Sequence, residues 1–210
     1  MKMVVVGGNS RDIGKTSVVA GLVSSLRLYN WTAIKLTQYG HGVCSVDGDE
    51  CECAPDDHPF AITEETDRSG RTDTSRFLMA GARRALWARV RMGMLETALP
   101  ALRQAIANDA HVILESNSIL RYYQPNVYLT VLDPTRQDFK DSAREFLARA
   151  DAILVSAPGL ERVAWEGIAL DIIRRKPIFT ISPEDYVPPE VAAFVEERLA
   201  VVKCAVPILT

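Results

Sequence analysis

The stretch that decides the fold is Gly7-Gly8-Asn9-Ser10-Arg11-Asp12-Ile13-Gly14-Lys15-Thr16-Ser17. It is preceded by the short apolar run Val4-Val5-Val6, which reads as a buried strand. It is followed by Val18, Val19, Leu22, Val23 and Leu26, which recur at the helical period between Thr16 and Leu28. A glycine-rich turn between a strand and a helix that ends in Gly-Lys-Thr is the context of a phosphate-binding loop. Backbone N–H groups of such a loop, together with the helix N-terminus, wrap phosphate oxygens. The residues expected to hold the phosphates of ATP or GTP are Gly8, Asn9, Ser10, Arg11, Asp12, Ile13, Gly14, Lys15, Thr16 and Ser17. Within them Lys15 is expected on the β- and γ-phosphates, and the Thr16 hydroxyl on Mg²⁺. The spacing is longer than usual. Five residues separate Gly8 from Gly14, and the position that would give the common four-residue gap holds Asn9.

Outward from the loop, the chain alternates strands and helices. Strands are expected at Trp31 to Leu36, His111 to Glu115, Asn126 to Leu132, Ala152 to Val155 and Pro177 to Ile181. Helices are expected at Thr74 to Leu86, where Ala80-Gly81-Ala82 allows close packing, and at Leu95 to Asn108, Asp141 to Arg149, Arg162 to Arg175 and Pro189 to Val201. Trp87 to Met92 reads as a short strand in preference to more helix. This order predicts an α/β fold, a three-layer arrangement with a mainly parallel sheet and helices on both faces. The 210 residues suit one nucleotide-binding domain. Gln38 to Arg71 interrupts it as an insertion of little periodicity, rich in cysteine, histidine and acids.

Composition narrows the partners. Hydrophobic residues make up 48% and charged residues 24%, with a formal net charge of −3, so there is no basic footprint for a nucleic acid. No apolar stretch is long enough to cross a membrane, and the N-terminus is too short in its apolar part for a signal peptide. The expectation is a cytoplasmic protein whose four cysteines are thiols or metal ligands rather than disulfides.

A second group of polar residues is expected opposite the loop. Glu115 ends a buried strand at the edge where open α/β sheets bind ligands, which suits a Mg²⁺ ligand, direct or through water. Its alternative role is a solvent-facing acid or a cap. Lys35 ends another strand on the same edge, as an anion contact or a solvated lysine. Asp73 and Arg76 lie one helical turn apart. Asp73 suits metal binding or activation of water, and Arg76 suits a phosphate or carboxylate. The pair reads equally as a helix-capping acid with a surface ion pair. Lys15, Lys35, Asp73 and Arg76 are therefore the candidate catalytic residues. Cys44, Cys51, Cys53 and His58, with His41 nearby, could form a tetrahedral zinc set that would order an apolar-poor loop, or could be reduced thiols or a redox pair.

The motif Gly8-x5-Gly14-Lys15-Thr16 resembles the phosphate loop of dethiobiotin synthetase, in the wider class that includes signal-recognition and MinD-like ATPases. That class carries an extra lysine near the loop start, where this chain has Asn9 and Ser10. Further pieces are similar to the molybdopterin-guanine dinucleotide biosynthesis protein B family: Ala33-Ile34-Lys35-Leu36-Thr37, Gly40-His41-Gly42, Gly70-Arg71-Thr72-Asp73-Thr74-Ser75-Arg76 and Ala80-Gly81-Ala82. The agreement runs to about residue 115. Where that family reads Glu-Gly-Phe, this chain has Glu115-Ser116-Asn117-Ser118. The resemblance implies a Mg²⁺-dependent homodimer that binds a nucleoside triphosphate, hydrolyses it slowly and acts on or delivers a cofactor or metal, in molybdenum cofactor biosynthesis. The alternatives are a small-molecule enzyme of dethiobiotin-synthetase type that transfers the γ-phosphoryl to a carboxylate, and a zinc-stabilised regulatory module that binds nucleotide without turnover. The base is not readable: ATP is preferred to GTP, since no Asn-Lys-x-Asp element is present. Ser156-Ala157-Pro158 and Ile181-Ser182-Pro183 are the segments expected nearest the base.

Overall fold

Met3 and Val5 of the first strand point to one side of a sheet and Val4 and Val6 to the other, and all four are fully buried. A strand apolar on both faces must be covered on both, and this one is. The computed structural model describes residues 1–39, 59–156, 160, 165–201 and 206–207. Its strands are β1 (Lys2–Gly8), β2 (Thr32–Tyr39), β3 (Phe60–Glu64), β4 (Arg84–Arg91), β5 (His111–Glu115), β6 (Tyr123–Gln124), β7 (Val127–Leu132), β8 (Ala152–Ser156), β9 (Ile178–Ile181) and β10 (Val206–Pro207). Its α-helices are α1 (Lys15–Ser25), α2 (Asp73–Met79), α3 (Leu95–Ala105), α4 (Asp141–Phe146), α5 (Leu170–Arg174) and α6 (Pro189–Ala200).

Eight strands form one sheet in the order β3-β4-β2-β5-β1-β7-β8-β9. Every pairing is parallel except β3 with β4. One apolar cluster holds Val18, Val19, Leu22 and Val23 of α1, Phe77 and Leu78 of α2, and Val191, Val195 and Leu199 of α6. The cluster on the opposite face holds Leu95, Leu99 and Leu102 of α3, Phe146 of α4 and Ile173 of α5. The fold is the expected three-layer α/β arrangement, a mainly parallel sheet with helices on both faces. Each fully buried aliphatic side chain in these layers contributes about 1.5–3 kcal/mol. β6 and β10 pair antiparallel outside the main sheet.

The structure redraws four expected elements. The strand expected from Trp31 to Leu36 runs from Thr32 to Tyr39, because its pairing with β4 continues to Tyr39, so Lys35 lies within it and not at its end. The helix expected to run from Thr74 to Leu86 ends at Met79. Gly81, at φ +105°, closes it by donating to Leu78 O at 3.1 Å while Ala82 donates to Phe77 O at 3.0 Å. Gly81 is thus a helix stop, and Arg84 to Leu86 join the strand that was expected to begin at Trp87. Within the segment read as an aperiodic insertion, Phe60–Glu64 adds an antiparallel edge strand to β4. Only Phe60 and Ile62 of β3 pack on the core, so its apolar alternation is short. Helix α5 covers Leu170–Arg174, the later part of the helix expected from Arg162. Among the described residues, no helix is long and apolar enough to cross a membrane.

Candidate functional site

β1 and β5 end within two residues of each other in register, while β2 runs on to Tyr39, four residues past Lys35, the position level with Glu115. Helix α1 starts at Gly14, whose φ of +90° is the left-handed region that a side chain resists. A Cβ there would also lie 2.3 Å from the Tyr186 ring. No side chain caps α1 and no acid lies in its first turn. Its leading N–H groups and positive dipole end therefore face the loop, which suits an anion.

The longer loop is braced sideways by segment 133–140. Asn9 is fully buried; its Oδ1 accepts from Asp133 N at 3.0 Å and its Nδ2 donates to Asp138 O at 3.3 Å. Ser10 Oγ donates to Asp138 Oδ2 at 2.6 Å, and Lys140 N donates to Asn9 O at 2.9 Å. Arg11 and Asp12 are exposed at the loop crown, with Asp12 at φ +53°, while Ile13 is buried beside Gly8. Among the ten expected phosphate-loop residues, Asn9 and Ser10 thus direct their side chains to the protein.

A brace that sequence reading missed comes from Asn117. Its Oδ1 accepts from Gly8 N and its Nδ2 donates to Gly8 O, both at 2.9 Å. One side chain holds both polar groups of a single residue's backbone. Gly7 makes room for it, because a Cβ there would lie 2.0 Å from Asn117 Oδ1. The available signal was the change from Glu-Gly-Phe to Glu115-Ser116-Asn117.

Four of the expected polar residues meet beside the loop. Thr16 Oγ1 donates to Glu115 Oε2 at 2.8 Å. Lys35 Nζ lies 2.6 Å from Glu115 Oε1, 2.8 Å from Asp73 Oδ2 and 3.2 Å from Thr16 Oγ1. A cation thus occupies the centre of a hydroxyl and two carboxylates, an oxygen set of the kind that suits Mg²⁺ with retained waters. Arg76 Nη2 donates to Ser17 Oγ at 2.8 Å, and its Nη1 lies 3.8 Å from Asp73 Oδ1. Asp73 does not cap α2: Thr72 does, its hydroxyl accepting from Ser75 N at 3.1 Å. The Asp73 carboxylate is left to bridge Lys35 and Arg76.

Burial sets the charges. It lowers the Lys15 ammonium to about 8; Glu115 opposes that shift, while Lys140 and Lys35 add to it. The Lys15 amine bends back to donate to the Ser10 carbonyl. Burial also acts to depress Lys35, but the Glu115 and Asp73 carboxylates outweigh it and leave the group above the ordinary lysine range. Lys140, which sequence reading missed, is lowered first by burial and then by Arg11, and it also feels the charges of Asp138, Glu115 and Lys35. It adds a third lysine to this site, from the loop that follows β7.

Cys44, Cys51, Cys53, His58 and His41 lie outside the described residues, as do Gly40, Gly42, Ala157, Pro158 and Cys204. Among the described residues no three His, Cys, Asp or Glu side chains come together as a metal-binding group. In the segment after β9, Ser182 and Asp185 exchange backbone hydrogen bonds at 3.1 Å, and Tyr186 is the residue that reaches the loop, over Gly14.

No family model matches the chain. No curated protein matches it either. Among solved structures, it is similar to HypB from Helicobacter pylori in complex with nickel, at TM-score 0.49 and 15% identity over 93% of this chain and 86% of that one. It is similar to LpxK from Aquifex aeolicus in complex with ATP, at 0.47 and 15% over 86% and 53%. It is also similar to the signal recognition particle receptor FtsY from Elizabethkingia anophelis in complex with GDP, at 0.42 and 16% over 95% and 64%. These likenesses concern overall architecture. The glycine-rich turn between β1 and α1, read from the chain's own geometry, has the form of a phosphate-binding loop.

Proposed function

We propose that this chain binds a Mg²⁺-chelated nucleoside triphosphate at residues 8–17 and cleaves or transfers its terminal phosphoryl group. The observation that carries this reading is the Lys35 ammonium enclosed by Thr16, Glu115 and Asp73 beside an uncapped helix N-terminus. Thr16 and Glu115 would hold Mg²⁺, with Asp73 within reach of the same position. When bound, the ion neutralises charge that builds on the phosphate oxygens. Lys15 straightens from Ser10 toward the β- and γ-phosphates. Lys35, charged at neutral pH, would face the terminal phosphate from its place beside Glu115 and Asp73. Arg76 stabilises developing charge from the α2 side. Asp73 orients the attacking water or acceptor.

The reading extends to a cytoplasmic, homodimeric protein of cofactor or metal-cofactor biosynthesis, similar to molybdopterin-guanine dinucleotide protein B. Its support is the set of matching motifs between residues 33 and 82. The second reading, ATP-dependent transfer to a small carboxylate, is favoured by the length of the phosphate loop. A zinc set at Cys44, Cys51, Cys53 and His58 belongs to either reading, and elemental analysis of untagged protein tests it.

Phosphate release from ATP and from GTP, with Mg²⁺ and with or without added small carboxylates, tests the proposal. Slow release that needs only Mg²⁺ supports the first reading, and release that needs an added carboxylate supports the second. Binding without release in any arm contradicts both and leaves a regulatory module.

A further inference from the structure

On the α2 face of the sheet, a row of side chains runs away from the phosphate loop. Lys35 is in register with Glu115 on one side and with Trp87 on the other, and Thr37 with Arg89. Trp87 Nε1 donates to Thr37 Oγ1 at 3.0 Å, which fixes the indole. The Arg89 guanidinium lies over that ring, 4.6 Å from its centroid. Its Nε is buried and has no hydrogen-bond partner among the described residues, and no carboxylate there pairs with it. Neighbouring arginines differ: Arg84 pairs with Glu64 and Asp109, and Arg76 with Asp73 and Ser17. A guanidinium is always charged and its planar fork matches an oxyanion. A cation–π contact alone leaves the Nε donor unused.

We propose that Arg89, held on the Trp87 platform, is the anchor of a second-ligand subsite that takes the carboxylate or phosphate of a small anionic molecule. The proposal rests on the nucleotide reading above. Neighbouring strands are about 4.8 Å apart, and two residues along a strand span about 6.6 Å, so the Arg89 and Lys35 backbones are about 8 Å apart. A small acceptor tethered by its anion at Arg89 would therefore place its other end beside Lys35, where the terminal phosphate would lie. Lys35 and Arg89 divide the work: one faces the nucleotide and the other the acceptor.

The test is calorimetric. The wild type is saturated with Mg²⁺ and a non-hydrolysable ATP analogue, so that the phosphate loop is occupied, and is then titrated with inorganic phosphate and, separately, with succinate. Saturable binding of either anion is expected; which one binds tells phosphate from carboxylate recognition. Arg89→Gln should weaken it at least tenfold, and Arg89→Lys, which keeps the charge and loses the fork, should give an intermediate loss. Absence of anion binding to a wild type that binds the ATP analogue, or equal affinity in Arg89→Gln, overturns the subsite alone. A wild type that does not bind the analogue overturns the nucleotide reading instead.

Discussion

Lys35 Nζ and Glu115 Oε1 are 2.6 Å apart, and the Glu115 side chain is only 4% exposed. An ion pair this buried has a large desolvation cost, which a hydrophobic pair of similar size would avoid. The balance changes if the acid's task is to hold Mg²⁺ and the lysine's is to face a phosphate. Glu115→Ala should destabilise the nucleotide-free protein by about 3 kcal/mol, the lower end for breaking a buried pair, since Asp73 still faces the lysine. Lys35→Met with Glu115→Leu should recover most of that loss in urea denaturation, yet show no Mg²⁺-dependent nucleotide binding. A double variant that kept such binding would remove the pair from the site.

Lys15 gives a pH signature. Its ammonium is lowered from 10.5 to about 8 in the folded protein, mainly by burial. Between those values the unfolded chain carries the extra proton, so folding stability gains with rising pH across that window. Chemical denaturation from pH 8 upward should show this gain in the wild type relative to Lys15→Met. Triphosphate binding should run the other way: phosphate needs the charged amine, so affinity falls above about pH 8 and binding takes up a proton there. The same pH dependence in Lys15→Met would contradict the assignment.

Asn117→Ala leaves the Gly8 N–H and C=O without their buried partner. Each unsatisfied group costs about 1–3 kcal/mol, so a loss of at least that size is expected in thermal unfolding, with weaker nucleotide binding. Gly7→Ala should produce a similar loss by collision with Asn117 Oδ1. Unchanged stability in both would mean the brace is idle.

Lys140→Ala removes a cation from the phosphate side without touching the loop's sequence. About 1–2 kcal/mol of triphosphate affinity should disappear, a five- to thirty-fold loss by titration, with a smaller loss for the diphosphate. Equal losses for both nucleotides would place Lys140 away from the terminal phosphate.

Much of this was legible in the sequence because it is local. The apolar run before Gly7, the period from Val18 to Leu26 and the Gly14-Lys15-Thr16 motif specify the strand, the helix and the turn between them. Glu115 was legible as a strand end, since parallel strands deliver their carboxyl ends to one edge. Lys35, expected at the end of its strand, lies in the middle of β2 and reaches the site by being level with Glu115. Long-range partners were not. The Asn9 contacts with 133–138 and the Asn117 contacts with Gly8 span more than a hundred residues and involve residues common in any loop. Gly81 was misread because a small residue between alanines fits close packing and a helix stop equally well; its positive φ decides. Edge strand β3 was hidden because only Phe60 and Ile62 face the core.

The central claim is that residues 8–17 hold a Mg²⁺-triphosphate. Equilibrium binding of ATP and GTP to the wild type and to Lys15→Ala, each with Mg²⁺ and with excess EDTA, tests it most directly. The account predicts Mg²⁺-dependent binding of at least one triphosphate by the wild type and its loss in Lys15→Ala with the fold intact by circular dichroism. Undiminished affinity in a folded Lys15→Ala, or a wild type that binds neither nucleotide, would contradict it.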